Sequence, residues 1–160
     1  MAGVSFIGIL LGLAALGSAL IAGVFFAFST FVTVALSRIA PASGIAAMQS
    51  INVVILRSAF MPIFIGMALV SLVLAFATLR DWQGARSIYV LAGATFYLLA
   101  VFLETIVFNV PLNDKLAAFD ANSADGAAFW PSYVREWTNW NHVRTAASLL
   151  AACAFVKAMI

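Results

Sequence analysis

"VSFIGILLGLAALGSALIAGVFFAFSTFVTVAL", residues 4–36, contains no charged residue. Crossing a hydrocarbon core takes ~20 residues of helix at 1.5 Å each, and this run is longer. It reads as a transmembrane helix that tilts or projects beyond the core on one side. A secretory signal would carry a basic flank and an apolar stretch of roughly 7–15 residues. No basic residue precedes this run, so the helix is expected to be retained. Gly8, Gly12, Ala15, Ala19 and Gly23 recur along it at helical spacing. Small residues let a neighbouring helix approach closely. The stripe suits packing within a bundle, and the same stripe could serve a homo-oligomer.

The rest of the chain follows the same solvent logic. Of 160 residues, 65% are hydrophobic and 9% charged, against roughly 25% charged in soluble domains. The net charge is +2, and no basic run exists to follow a phosphate backbone, so nucleic acid is not an expected partner. The lone cysteine, Cys153, leaves no internal disulfide and no multi-cysteine metal site within one chain. Three further segments are long enough to span, at about 60–79, 88–110 and 134–159. Pro62 lies near the start of the second and could kink one long helix formed with the residues before it. Pro111 closes the third, the polar stretch "LNDKLAAFDANSADGAAFW" (112–130) is the longest loop, and Pro131 suits the first position of the last helix. The expectation is an all-α, integral membrane four-helix bundle. It forms one four-span domain over 1–160, with an additional amphipathic helical segment before the second span. Lipid is then the first partner. Both termini and the 80–86 turn share one side, with Trp82 at the interface, and Lys157 can snorkel. Three basic residues lie on that side (Arg80, Arg86, Lys157) and five on the other (Arg38, Arg57, Lys115, Arg135, Arg144). Because Arg57 and Arg144 are also candidate site residues, the positive-inside rule leaves the orientation open.

Polar residues concentrate at one end of this bundle. Glu104 lies within the third span, roughly 10 Å below Pro111 at helical rise. An acid there is costly and faces the bundle, neutral unless Arg57 or Arg144 reaches it. It serves either a site or a hydrogen bond to another helix. Thr105, Asn109 and Asn113 form a stripe at i, i+4, i+8 that an α-helix turns away from Glu104, and Asn109 could simply orient the helix end. "WPSYVREWTNWNHVRTAA" (130–147) holds three of the four tryptophans and the only histidine. In it, Arg135, Asn139 and His142 share one helix face; Tyr133, Trp137, Trp140 and Arg144 share another. Such a cluster reads as an interfacial aromatic belt or as a site, since histidine suits proton transfer at neutral pH. One histidine leaves only a thin metal site of His142 with Glu104. No nucleophile–base pattern, phosphate loop or dinucleotide fingerprint is present.

Three strings carry a resemblance: "FNVPLNDKLA" (108–117), "WTNWNHVRTAASLLAA" (137–152) and "MQSINVVILRSAFMPIF" (48–64). They resemble the anthrone oxygenase-like family of small four-span membrane proteins, over most of the chain from about Phe25 onward. The resemblance implies an oxygenase-type activity on an apolar aromatic phenolic ketone with molecular oxygen and no cofactor, or a relative that has lost it. It also implies a multi-pass protein, expected in a bacterial inner membrane. It carries over Asn109, Pro111, Asn113, Trp140, Asn141, His142 and Arg144; Gln49 and Asn52 match less specifically, and Glu104 is not a family position. On this reading His142 is the general base, and Arg144 with Asn109 or Asn141 stabilises the enolate oxygen. Trp137, Trp140 and Tyr133 supply stacking surface, while Asn113, Gln49, Asn52, Arg57 and Glu104 complete the substrate-binding set. Trp130 and Trp137 are expected to act as anchors as well. The alternative is a non-catalytic helper subunit or ligand-binding protein of the same fold.

Overall fold

The computed structural model describes residues 5–160, so the Val4 start of the first span lies outside the described residues. The described residues form five helices and contain no strand. They are α1 (Phe6–Ser37), α2 (Pro41–Ile55), α3 (Phe60–Arg80), α4 (Ala85–Ala117) and α5 (Ala124–Lys157). Three of these, α1, α3 and α4, are long and apolar enough to cross a membrane. The count therefore differs from the four spans read in the sequence. Although α5 is long enough, its first half carries exposed Arg135, Glu136, Asn139 and His142, which lower its apolarity.

Local chemistry sets the boundaries. Ser5 caps α1, its hydroxyl accepting the Gly8 N–H at 3.1 Å. Pro41 opens α2, where a missing N–H costs nothing. Between α2 and α3 the Ser58 hydroxyl accepts the Phe60 N–H at 3.2 Å. Two helices are thus separated here, and Pro62 sits harmlessly in the first turn of α3 rather than kinking one long rod. Gly84, with φ 60°, makes the turn into α4, a backbone conformation that side chains with a Cβ resist.

The sequence reading closed the third span at Pro111, but α4 continues through it to Ala117. The reason is a widened helix. Thr105–Asn109 has π geometry, and the Val110 N–H bonds the Thr105 carbonyl five residues back. Proline lacks an N–H and crowds the carbonyl four residues earlier; a wide turn just before it absorbs both defects. Leu98–Leu103, and Phe28–Val32 in α1, are π-helical too. The expected loop over 112–130 consequently shrinks to the few residues between α4 and α5. Ser123 caps α5, accepting the Gly126 N–H at 3.0 Å, so Pro131 lies inside the helix rather than at its start.

Helix α1 packs against α3 and α5, and α4 packs against the same two, which closes a four-membered ring; α2 lies across one end, against α5. Two apolar cores result. The larger runs down the ring, with Leu11, Ile21, Phe64, Leu74, Tyr97 and Phe155 buried. The smaller, at the α2 end, holds Ile45, Met48, Leu116, Trp130, Tyr133 and Trp137. The outer surface of the ring is apolar, with Leu16, Leu69, Phe76, Leu99 and Val156 each at least half exposed. That is what a lipid-facing surface requires, since a soluble monomer exposes no such continuous apolar belt.

Candidate functional site

Arg144 is the centre of the polar end. Its guanidinium is 4% exposed at residue level and lies between two rings, 4.3 Å from the Phe25 centroid and 5.1 Å from that of Trp137. Cation–π attraction strengthens when the pair is dry. Nη2 donates to Asn141 Oδ1 at 2.7 Å, Nη1 to the Thr105 hydroxyl at 3.4 Å, and Nε faces Glu104 Oε2 at 3.5 Å. Glu104 is buried as deeply, and among the described residues neither of its carboxylate oxygens accepts a hydrogen bond. Arg144 is the partner that reaches it; Arg57 is exposed and does not.

The π geometry of α4 assembles this cluster. In an α-helix, residues five apart diverge, which set Glu104 and Asn109 on different faces in the sequence reading. An i→i+5 turn brings them nearly over each other, and both are buried. Thr105, read as pointing away from Glu104, instead joins it on Arg144.

Asn141 holds the arrangement from the other side. Its amide donates to the Phe25 carbonyl at 2.7 Å and to Ser29 Oγ at 2.6 Å, while its oxygen accepts from Arg144. It therefore orients Arg144 and has no donor left over. Asn109 donates to the Trp137 carbonyl at 3.3 Å, and its buried Oδ1 is an acceptor, which cannot stabilise an anion. Gln49 donates to the carbonyls of Leu116 and Phe119 at 3.0 and 2.9 Å, tying α2 to the end of α4. The Tyr133 hydroxyl donates to Asn113 Oδ1 at 2.9 Å.

Arg144 opens onto a cavity of about 630 Å³ between the two cores, within the usual range for small-molecule sites. Its wall is apolar over most of its area, with Phe28, Phe60, Phe64 and Phe102 prominent, and Arg144, Thr105, Trp137, Asn52, Asn113 and Asp114 interrupting it. The Trp137 indole N–H and the Asn52 amide are buried without a partner among the described residues. Exposed apolar residues of three helices, Val53, Ile65, Ile106 and Val110, also line it, so it opens sideways between α2, α3 and α4.

The structure divides the candidates read from the sequence. Arg144, Trp137, Asn52, Asn113 and Gln49 line the cavity. Glu104, Asn141 and Asn109 lie buried around Arg144 or Trp137, and Tyr133 is buried in the smaller core. His142 does not join them. It is exposed on the outer face of α5, one residue and about 100° from Asn141. Nothing in the geometry gives it a base role, and it forms no metal pair with buried Glu104. Trp140 is half-buried and stacks on Phe108 at 3.7 Å, an outer clamp between α4 and α5 rather than a cavity wall. Trp130 and Trp137 are buried in the protein and are not surface anchors. Sequence reasoning passed over Phe25, Phe28 and Ser29; only Ser29, a polar residue in an apolar run, left a trace.

The fold and site define a class: an all-helical protein with membrane-span-capable helices and a largely apolar cavity lined in part by a buried arginine. The chain belongs to the anthrone oxygenase family, whose model matches residues 57–154. Comparison with curated proteins and with solved structures returned no match.

Proposed function

We propose that this chain is a multi-pass membrane protein in which four helices cross the bilayer, α5 included, and that it is an oxygenase for a flat, apolar phenolic ketone of the anthrone kind. The observation that carries this reading is the buried Arg144 guanidinium in the wall of an apolar cavity whose lining includes exposed apolar residues of α2, α3 and α4. Such a ligand partitions into lipid, slides in between α3 and α4, and sets its oxygen on Arg144. Loss of a proton makes an enolate. The guanidinium stabilises its oxygen in a dry site where electrostatic contacts count for most, assisted by the unpartnered Trp137 N–H. The electron-rich enolate then reduces molecular oxygen itself. One oxygen atom becomes the new ring carbonyl; the other leaves as water with the two hydrogens of the methylene.

Oxygen uptake by purified protein with a hydroxyanthrone, above the spontaneous rate, tests this. Arg144→Gln should lower the rate about 100-fold, the usual cost of losing one oxyanion donor. His142→Ala should retain nearly full activity. Full activity in folded Arg144→Gln would remove the basis of the reading. The second reading, a ligand-binding protein without turnover, draws on Asn109, Asn141 and Gln49, which spend their amides on backbone carbonyls. It predicts ligand binding without oxygen uptake.

A further inference from the structure

Glu104 has no part in that scheme, yet its placement is costly. A carboxylate at this depth is expensive unless it is paired, and among the described residues its one polar contact is Arg144, at 3.5 Å. Both oxygens are otherwise free to take a proton. We propose that Glu104 is the proton acceptor of the site and that the ligand anion takes its place as the counterion of Arg144.

The inference rests on the cavity reading above and follows from charge. In the empty site the pair is neutral overall. When a phenolic or enolisable ligand arrives, its O–H or C–H bond breaks and the electron pair stays on the ligand. The proton goes to a Glu104 carboxylate oxygen; Glu104 lies directly behind Arg144, which lines the cavity together with Thr105. Arg144 then faces a ligand anion, with a neutral acid behind it. No net charge has entered or left the dry site, so the Born penalty of burying an unpaired ion is avoided. A base in water would leave the anion to be buried without this exchange. Other titratable or charged groups near the cavity do not substitute. Asp114 of α4 lines it but is exposed, and the Tyr133 hydroxyl of α5 is spent as a hydrogen-bond donor to Asn113. From α1, α2 and α3 the lining residues carry no charge.

The test uses alizarin, a hydroxyanthraquinone whose colour changes when its phenol ionises, with the purified full chain in detergent. It is run below the pH at which free alizarin ionises. Wild type should bind it with the phenolate spectrum, release no proton to the buffer, and show an affinity independent of pH in that range. In Glu104→Gln the phenolate can form only by releasing one proton per ligand, so affinity should rise about tenfold per pH unit. Glu104→Asp should restore the wild-type balance. Bound alizarin with the neutral spectrum, or a proton released by wild type, overturns the role of Glu104 while leaving the cavity standing. Absence of binding to wild type overturns the cavity reading and this inference with it. If Glu104→Gln does not fold, the wild-type spectrum and proton count decide alone.

Discussion

Asn141 shows how much one amide can organise. Its side chain joins α5 to the Phe25 carbonyl and Ser29 of α1, and fixes one edge of Arg144. Asn141→Ala leaves a buried guanidinium donor unpaired, which costs about 1–3 kcal/mol, and cuts the side-chain tie to the Phe25 carbonyl and Ser29. The thermal midpoint in detergent should fall by several degrees. His142→Ala, one residue away but exposed, should stay within about 0.5 kcal/mol of wild type. Equal melting of the two variants would contradict this division. The string Trp140-Asn141-His142-Val143-Arg144 made the location legible from sequence, but not the choice within it. Histidine attracts attention by its chemistry, whereas helix phase decides which residue points inward. The run Tyr133, Trp137, Asn141, Arg144 and Ser148, all buried, carries that phase at spacings of three and four. His142 falls between its members.

Among the elements, α4 departs furthest from what its sequence suggests. Apolar residues do not announce a π turn, because Val, Leu and Phe satisfy either helix. Pro111 alone hinted at a backbone adjustment, and it reads more simply as a helix end. A π segment holds one more residue in its turn than the α-helix it interrupts, so deleting one should restore α geometry. Ile106 is exposed and lies inside Thr105–Asn109. Removing it leaves Glu104 and Asn109 four apart, so a restored α turn keeps both on one face. Asn109 would then stay near the Trp137 carbonyl, and Glu104 and Thr105, which precede the deletion, would stay on Arg144. Far-ultraviolet circular dichroism and alizarin affinity should both stay nearly unchanged; lost affinity would mean that the wide turn itself shapes the site. Gly44 marks another close approach. A Cβ there would lie 2.8 Å from the Leu36 carbonyl oxygen and 2.8 Å from the Trp130 ring. Backbone cannot yield as a flexible side chain does, so Gly44→Ala should destabilise by about 1–3 kcal/mol, read as a lower thermal midpoint.

At the scale of the molecule, the lengths of the helices place the site in depth. Helix α3 has 21 residues, roughly the 30 Å of a hydrocarbon core, and begins at Phe60. The Phe60 ring meets Phe25 at 5.9 Å, and Phe25 carries Arg144 on its face. If α3 crosses the bilayer as proposed, the ion pair sits at the edge of the hydrocarbon, with the smaller aromatic core beyond it and the cavity between. A flat molecule with one polar edge rests at that same level in a bilayer. Hydropathy made α1, α3 and α4 legible, since charge-free runs of that length have few other solutions. The sequence reading counted 134–159 as a fourth span, but the polar first half of α5 dilutes its apolar second half, and α5 is not among the helices apolar enough to cross. If α5 crosses, its exposed Leu149 faces lipid while Asp125 lies in water on the cavity side. Single cysteines at those two positions, in a chain with Cys153→Ser, test this in intact membranes. A water-soluble maleimide should label Asp125→Cys and spare Leu149→Cys until detergent unfolds the protein. A third cysteine in place of Lys157 should label only from the face opposite to Asp125. Leu149→Cys reacting as fast as Asp125→Cys would show that α5 lies outside the bilayer, and the count of crossings would fall to three.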